Sequence, residues 1–292
     1  MKLLIEMQLI ADNAGGSSAT RKARRGTAAD LAYFANGKYG IKTFSGIKTK
    51  TIERYVEHLK NTRSDRSLQN TMSHIRVMLQ RTSKSPMSME PALSNKMLGI
   101  SNASRTGTHR AITLMELEDR FSNLDTLPDV LATAQLQAAL GLRSKEAVMV
   151  GRIDVLERLE RELSNSNYCS IREGTKGGRA RTVTLACAQY ERAIIAVRKA
   201  IDMCDSDQRN HLINSKENNL KSALNRYNNA MKRAGFTGKI SPHSLRYAFA
   251  QERIAAYEAE GGGKRLAREY TAQDLGHGSG RYRWINQIYA QK

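Results

Sequence analysis

Along most of this 292-residue chain, apolar residues recur every three or four positions, which is the period of an α-helix packed on one side. One stretch departs from that pattern. Between 168 and 186, Tyr-Cys-Ser-Ile-Arg and Arg-Thr-Val-Thr-Leu flank a Gly-Thr-Lys-Gly-Gly turn, and short alternating segments around a glycine-rich turn predict a β-hairpin. The expected fold is therefore mainly α with one small antiparallel β-sheet (α+β).

The first third of the chain predicts a small basic helical bundle. The helical pattern begins at Thr27, with Leu31, Tyr33 and Phe34 as expected core residues. Two further helices are predicted over 50–61 and 67–82, again from apolar residues spaced three and four apart. The second of these would leave Arg76 and Arg81 on its outer face.

The stretch 83–110 is rich in Ser, Asn, Gly and Lys and contains two prolines, a composition typical of a linker between domains. The opening ten residues carry an acid inside a short apolar run and predict a short helix or arm rather than a signal peptide. We therefore expect three parts: an arm over 1–19, a helical domain over 20–104 and a larger domain over 110–292.

The charge of the chain points to a polyanionic partner. The net charge is +19, and residues 16–110 alone hold 18 Lys and Arg against 5 Asp and Glu, a net of +13. Such a surplus binds phosphates by displacing their counterions, although a merely solvated basic surface is the alternative. No RNA-binding aromatic motif or lipidation signal is present. The candidates for DNA contact are Arg21, Lys22, Arg24, Arg25, Lys48, Lys50, Arg76 and Arg81.

Three cysteines without CxxC spacing or clustered histidines argue against a zinc site and a disulfide framework, and they fit a reducing cytoplasm. No run of about 18 apolar residues suits a membrane span. We therefore expect a cytoplasmic protein, associated with the nucleoid if its polyanion is DNA, and no membrane partner.

The second domain is predicted to open at Thr113, because Glu116 three residues later completes a capping-box pattern. A long helix is expected over 128–150, and further helices over 188–204 and 215–235. After Ser241-Pro242, a cap followed by a first-turn proline, a new helix would carry His243 and Arg246 on one face.

A set of arginine, lysine, histidine and tyrosine side chains follows in order through this second half. Each stands in a short motif: Gly-Leu-Arg-Ser-Lys-Glu, Gly-Thr-Lys-Gly-Gly-Arg, His-Ser-Leu-Arg, Leu-Gly-His and Gln-Ile-Tyr. Any one of these motifs is ordinary by itself. Their joint order and spacing resemble the catalytic half of the tyrosine recombinases, the phage-integrase and Xer-like family. The matching positions are Arg143, Lys176, His243, Arg246, His277 and Tyr289.

The resemblance implies that a DNA strand is cut through a covalent 3′-phosphotyrosine, with Tyr289 as nucleophile and without a metal ion or another cofactor. Arg143 and Arg246 would bind the non-bridging oxygens, because a guanidinium gives two charge-assisted hydrogen bonds and stays protonated. Lys176, at the tip of the hairpin, would protonate the departing 5′ oxygen.

The two histidines would donate hydrogen bonds to the phosphate or exchange a proton with the tyrosine. Glu146, three residues after Arg143, would hold that arginine in place. Residues 20–104 would correspond, by position, charge and helicity, to the core-DNA-binding (SAM-like) bundle of the family. The partners implied are double-stranded DNA, a homotetramer on paired recombination sites, and accessory DNA-bending proteins.

One spacing departs from the family, whose tyrosine usually follows the last histidine by about nine residues, whereas here the separation is 12. The extra residues bring in Tyr282 as an alternative nucleophile, although Gln-Ile-Tyr favours Tyr289. Integration or excision of a mobile element, DNA inversion and resolution of chromosome dimers all fit the motifs, and the mobile-element role is preferred because it is the most frequent in the family. A non-cutting DNA-binding regulator and a type IB topoisomerase are the alternative functions.

Overall fold

The structure, a computed structural model, describes residues 1–104, 107–206, 210–215 and 217–290. The chain divides into two compact units, Met1–Ser104 and Arg105–Lys292. Among the described residues, the first unit has one buried apolar cluster and the second unit has two. Within the described residues, no helix is both long and apolar enough to cross a membrane.

The first unit is helical, and its apolar side chains meet in a single cluster. Short 3₁₀ turns at Phe44–Gly46, Ser85–Met89 and Pro91–Leu93 join or follow the main helices. The main helices are α1 (Lys2–Asn13), α2 (Ser18–Tyr39), α3 (Thr49–Lys60) and α4 (Asp65–Gln80).

The two ends of this unit correct the predicted organisation. The opening residues form the short helix α1, one of the two predicted forms, but its Leu3 and Met7 are fully buried in the cluster, so the segment is not a separate arm. The predicted linker is also wrong over most of its length, because Leu93 and Ile100 lie in the same core. Proline and serine here mark tight 3₁₀ turns that pack against the bundle.

Helices α3 and α4 are confirmed, with their predicted apolar faces buried. Helix α2 begins nine residues earlier than predicted, because the Ser17 hydroxyl accepts a hydrogen bond from Thr20 N and caps it. In that helix Leu31 is buried as expected and Phe34 packs against the core, but Tyr33 is exposed. The position of Tyr33 was predicted wrongly because neighbouring helix positions point about 100° apart.

The second unit combines helices with one two-stranded antiparallel sheet, as predicted. The strands are β1 (Tyr168–Ile171) and β2 (Arg181–Thr184). The helices are α5 (Leu114–Ser122), α6 (Pro128–Ala139), α7 (Ser144–Val150), α8 (Ile153–Asn165), α9 (Cys187–Ser206), α10 (Leu220–Arg233), α11 (His243–Ala259), α12 (Lys264–Asp274) and α13 (Tyr282–Ile288).

Local sequence signals fix several of these elements. Thr113 and Glu116 form the predicted capping box at the start of α5. In the hairpin, Cys169 pairs with Val183, and both side chains are buried on the same face of the sheet. The nine residues 172–180 that join the strands are called the hairpin loop below, and Lys176 lies in its middle, as predicted.

The long helix predicted over 128–150 is wrong, because it is broken into α6 and α7. Gly141 adopts a left-handed φ of +58° between them, and the ring of Phe249 packs directly against its Cα. The break places Arg143 at the N-cap of α7 rather than in mid-helix. It also leaves the Gly141 carbonyl outside the helical hydrogen-bond pattern, so that it can accept hydrogen bonds from side chains.

Candidate active site

The second unit brings five of the six predicted catalytic positions to the ends of four helices. Arg143 precedes α7, and His243 and Arg246 occupy the first turn of α11. His277 follows α12 by three residues, and Tyr289 follows α13 directly. Helix ends bring together side chains that are distant in sequence.

Glu146, which is fully buried, forms the centre of this arrangement. Its Oε1 accepts a hydrogen bond from Arg143 Nη1 at 2.5 Å, and its Oε2 accepts one from Arg143 N at 2.9 Å. Arg181 Nη2 donates to Oε2 at 3.1 Å, and Arg246 Nη1 lies 3.8 Å away. Burial alone would raise the pKa of Glu146, but Arg181 and Arg246 outweigh it and hold that pKa below its usual value.

Arg246 is also fully buried, and its guanidinium is fixed by the backbone. Nη1 donates to the Gly141 carbonyl at 2.5 Å, and Nη2 donates to the Leu275 carbonyl. Burial lowers the pKa of Arg246 to about 10, with a smaller contribution from neighbouring arginines, so the group stays charged at neutral pH. Its Nε remains directed at the tyrosine.

Tyr289 is only 1% exposed, and its hydroxyl lies between two basic groups. Arg246 Nε donates to Tyr289 Oη at 3.3 Å, and His243 Nε2 lies 3.4 Å from the same oxygen. Tyr282 occupies a different environment, with Arg265 4.8 Å and Arg283 5.7 Å from its ring centre. The structure therefore brings Tyr289, and not Tyr282, to Arg246 and His243.

Both histidines are held in the neutral form. Burial, followed by Arg246, lowers the pKa of His243 to about 4. Burial, followed by Arg246 and Arg143, lowers the pKa of His277 to about 2. His277 Nε2 is buried without a hydrogen-bond partner among the described residues, and the ring packs on Trp284 at 4.0 Å between centroids.

The depressed pKa of His277 has a measurable consequence for stability. Below pH 6.5 the unfolded chain binds a proton at this residue and the folded protein does not, so the free energy of unfolding falls as the pH falls. Between pH 6.5 and 5 we expect wild type to lose up to ~1 kcal/mol per pH unit more than His277→Gln. Urea denaturation at each pH measures the difference, and equal slopes would contradict it.

Lys176 is the one predicted catalytic position that the structure does not bring into this cluster. Its side chain is exposed on the hairpin loop, and no hydrogen bond or ion pair joins it to the other five within the described residues. The loop itself is anchored close by, because the Cα of Gly174 packs against α7. A Cβ at Gly174 would lie 3.1 Å from the Lys145 carbonyl oxygen and 3.2 Å from Glu146 Cα.

Arg181 belongs to this cluster but is not among the site residues predicted from the sequence, which places it only in a strand. It is 6% exposed and shares the inward face of β2 with Val183. A charged residue at an inward position of an alternating strand is a signal of a buried ion pair, and it was available in the sequence.

The glycine that separates α6 from α7 is expected to be essential for this geometry. In Gly141→Ala, the added Cβ would overlap Phe249 while the backbone remains left-handed. We expect a loss of about 2–4 kcal/mol in the free energy of unfolding. The control is Gly238→Ala, with φ +61° and no atom within 4 Å of the added Cβ, which should cost only about 1 kcal/mol. Similar losses in both variants would contradict the steric argument.

In the first unit, two of the predicted DNA contacts are engaged internally. Arg24 is buried and donates to the carbonyls of Ala11 and Gly15 at 3.0 Å each. Arg76 donates to the Leu93 carbonyl at 2.6 Å and to Asn95. Both arginines tie turns to helices, which corrects their predicted availability to DNA. The other predicted contacts are exposed: Arg21, Lys22, Arg25, Lys48, Lys50 and Arg81.

The part of the chain that the structure describes contains no group of three or more His, Cys, Asp or Glu side chains that could hold a metal ion. The cluster around Glu146 is instead cationic, with three arginines sharing one carboxylate. Its charge suits a phosphate group.

Two family models match the chain. The model described as "Integrase" covers residues 99–252, and the model described as "Phage integrase, N-terminal" covers residues 1–88. The first range includes Arg143, Lys176, His243 and Arg246, while His277 and Tyr289 lie beyond it. No individual curated protein shows a significant sequence match.

Solved structures of recombinases share the fold at low sequence identity. A lambda integrase tetramer bound to a Holliday junction is 16% identical, over 95% of this chain and 76% of that one, with a TM-score of 0.58. The Tn1549 transposon integrase in complex with transposon right end DNA is 13% identical, over 100% and 96%, with a TM-score of 0.58. The XerH recombinase bound to a palindromic difH substrate is 16% identical, over 97% and 84%, with a TM-score of 0.54.

The fold is thus that of integrases and recombinases solved on DNA. The integrase model matches more than half of the chain, so the chain belongs to the integrase family. It is a site-specific tyrosine recombinase, and therefore a DNA strand-transferase.

Proposed function

We propose that this recombinase cuts one DNA strand at a time through Tyr289. Tyr289 Oη attacks the scissile phosphorus, so that the Oη–P bond forms and the P–O5′ bond breaks. The products are a 3′-phosphotyrosine and a free 5′ hydroxyl. The phenol proton passes to His243 Nε2, which is neutral and can accept it. The observation that carries this proposal is the position of Oη, within 3.4 Å of both His243 Nε2 and Arg246 Nε.

The fixed cations around Glu146 are proposed to bind the scissile phosphate. Arg143 is 26% exposed at its side chain and can turn a guanidinium edge outward while it keeps its bond to Glu146. Arg246 keeps its charge although it is buried. Such preorganised donors stabilise the charge that develops on the non-bridging oxygens. His277 Nε2, buried without a protein partner among the described residues, can donate a further hydrogen bond once its tautomer places the proton there.

Lys176 is proposed as the general acid that protonates O5′ as the P–O5′ bond breaks. It stands in a loop whose base packs against α7 beside Glu146, which gives its long side chain access to the same phosphate. In rejoining, the same groups act in reverse: a 5′ hydroxyl attacks the phosphotyrosine, Lys176 accepts its proton and the phenol is restored.

At the level of assembly, we propose a homotetramer on two paired duplex sites, with exchange through a four-way junction. The fold shared with a lambda integrase tetramer on a Holliday junction supports this arrangement. Integration and excision of a mobile element are proposed as the biological role, with accessory DNA-bending proteins and a location on the nucleoid. The exposed basic residues of the first unit would contact the DNA backbone.

The test uses supercoiled plasmids that carry one or two copies of the junction of the element encoding the chain. We expect deletion products from direct repeats and inversion products from inverted repeats, in reactions with and without a bending protein. Relaxation of one-site and two-site plasmids at the same rate would instead identify a type IB topoisomerase. Binding without any strand exchange or covalent intermediate would identify a DNA-binding regulator.

A further inference from the structure

Arg181 stands where the hairpin meets the rest of the site. It is the first residue of β2, and it pairs with Ile171 at the last step of the ladder before the hairpin loop. It follows Lys176 by five positions. The hairpin loop therefore begins and ends at this pair of residues, so the contacts that fix Arg181 also fix one end of the loop.

The Arg181 guanidinium donates hydrogen bonds to three acceptors, which lie in α7, in the turn before it and at the end of α12. Nη2 donates to Glu146 Oε2 at 3.1 Å and to the Gly141 carbonyl at 3.3 Å. Nη1 donates to the Asp274 carbonyl at the end of α12. Two of these acceptors are shared with the predicted phosphate-binding arginines, because Gly141 also accepts from Arg246 and Glu146 also accepts from Arg143.

The turn that carries His277 packs against the same side chain. Gly276 has a left-handed φ of +69°, and a Cβ there would lie 2.8 Å from Arg181 Cδ. Arg181 therefore contacts the Leu-Gly-His turn through its aliphatic carbons, and through its guanidinium it contacts Glu146, which Arg143 and Arg246 also approach. No other residue of the hairpin loop or strands reaches Glu146 by an ion pair within the described residues.

Arg181 is not placed to touch DNA itself. Its side chain is 3% exposed, and both terminal nitrogens are engaged by protein acceptors. Its function must therefore act through the groups that it holds. Lys176, five positions earlier in the chain, is exposed and is the one lysine of the hairpin loop.

We propose that Arg181 is a positioning residue that locks the hairpin loop to the Glu146 centre, so that Lys176 reaches the O5′ atom of the phosphate bound by Arg143 and Arg246. The hairpin loop is then held on both sides of Lys176, by Gly174 against α7 and by Arg181 against Glu146 and α12. This inference rests on the proposed role of Lys176 as general acid.

The test compares two suicide duplexes in single-turnover cleavage, one with the natural 5′ oxygen at the scissile phosphate and one with sulfur in its place. A thiolate leaves without a proton, since thiols have a pKa near 8.5, so the sulfur duplex does not need a general acid. We expect Arg181→Met to form the covalent complex about 10²-fold more slowly on the oxygen duplex, and sulfur to remove most of that loss. Arg181→Lys keeps the charge but loses the planar fork, so it should show the same sulfur rescue of a smaller loss.

Three further variants define the outcomes. Lys176→Ala should be rescued by sulfur, and Arg246→Lys should not, because it acts on the non-bridging oxygens. Arg161→Met removes one exposed positive charge on α8 and should cleave both duplexes at the wild-type rate. Melting temperatures identify any variant that fails to fold. If Arg181→Met does not fold, the sulfur rescue of Arg181→Lys tests the positioning role of Arg181.

The positioning role of Arg181 and the general-acid role of Lys176 are contradicted by different results. If Lys176→Ala is rescued by sulfur but both Arg181 variants stay equally slow on the two duplexes, Arg181 does not act through the hairpin and the inference is wrong. If wild type cleaves both duplexes but sulfur fails to rescue Lys176→Ala, the general-acid role of Lys176 is wrong, and the inference that rests on it falls too.

Discussion

Tyr289→Phe is expected to abolish the covalent protein–DNA complex while leaving DNA binding close to that of wild type. The phenylalanine ring fits the same buried site and loses only the hydroxyl, which contacts Arg246 and His243. Without a nucleophile no phosphotyrosine forms, so the expected loss is complete within detection, about 10⁴-fold or more. A denaturing gel of a nicked suicide duplex detects the complex, and a mobility shift measures binding.

Tyr282→Phe is the matched control, since it removes a phenol hydroxyl that contacts Arg283 at the start of α13, the helix that Tyr289 follows. We expect it to trap DNA at the wild-type rate. If Tyr282→Phe lost the covalent complex and Tyr289→Phe kept it, the assignment of the nucleophile would be reversed. The insertion between His277 and Tyr289 would then have moved the chemistry to a new residue.

Glu146→Ala is expected to have the largest effect on stability. Its removal leaves Arg143, Arg181 and Arg246 close together without the carboxylate that they share, two of them buried. Breaking a buried ion pair by removal of one partner costs about 3–5 kcal/mol. Urea denaturation measures the free energy of unfolding, and we expect cleavage of the suicide duplex to fall by about 10²-fold as the arginines move apart.

The control is Glu160→Ala, which breaks the surface pair with Arg198 at 2.8 Å and should cost no more than about 1 kcal/mol. The pH dependence adds a second check. Because the pKa of Glu146 is held below its usual value, its contribution is present above that usual value and is lost as the pH falls through the lower one. The difference between wild type and Glu146→Ala should therefore shrink in acid, and a constant difference would contradict the ion-pair explanation.

Much of this architecture could be predicted from local signals. The apolar periods of α3 and α4, the capping box at Thr113 and the glycine turn of the hairpin each act within a few residues. Helix α11 also begins just after Ser241-Pro242, as predicted, but Pro242 lies at its N-cap rather than in its first turn and provides no side-chain cap. These signals work because the hydrogen bonds and apolar contacts they report are made by neighbours along the chain.

The errors arose where distant residues decide the outcome. The break before Arg143 depends on Phe249, more than 100 residues later, which packs on Gly141. The packing of 83–104 into the first core, the internal use of Arg24 and Arg76, and the role of Arg181 as a buried donor also depend on partners remote in sequence. Composition describes a segment, whereas burial depends on what the rest of the chain brings to it.

The contact between Trp284 and His277 also gives the site an intrinsic fluorescent probe. Trp284 is the single tryptophan of the chain, and its indole lies 4.0 Å from the imidazole and 5.5 Å from the Tyr289 ring. Nearly all intrinsic emission excited at the red edge of protein absorbance therefore originates beside the reacting groups. Docking of a phosphate, release of the tyrosine and movement of its helix could each be followed by fluorescence, in unlabelled protein and in real time.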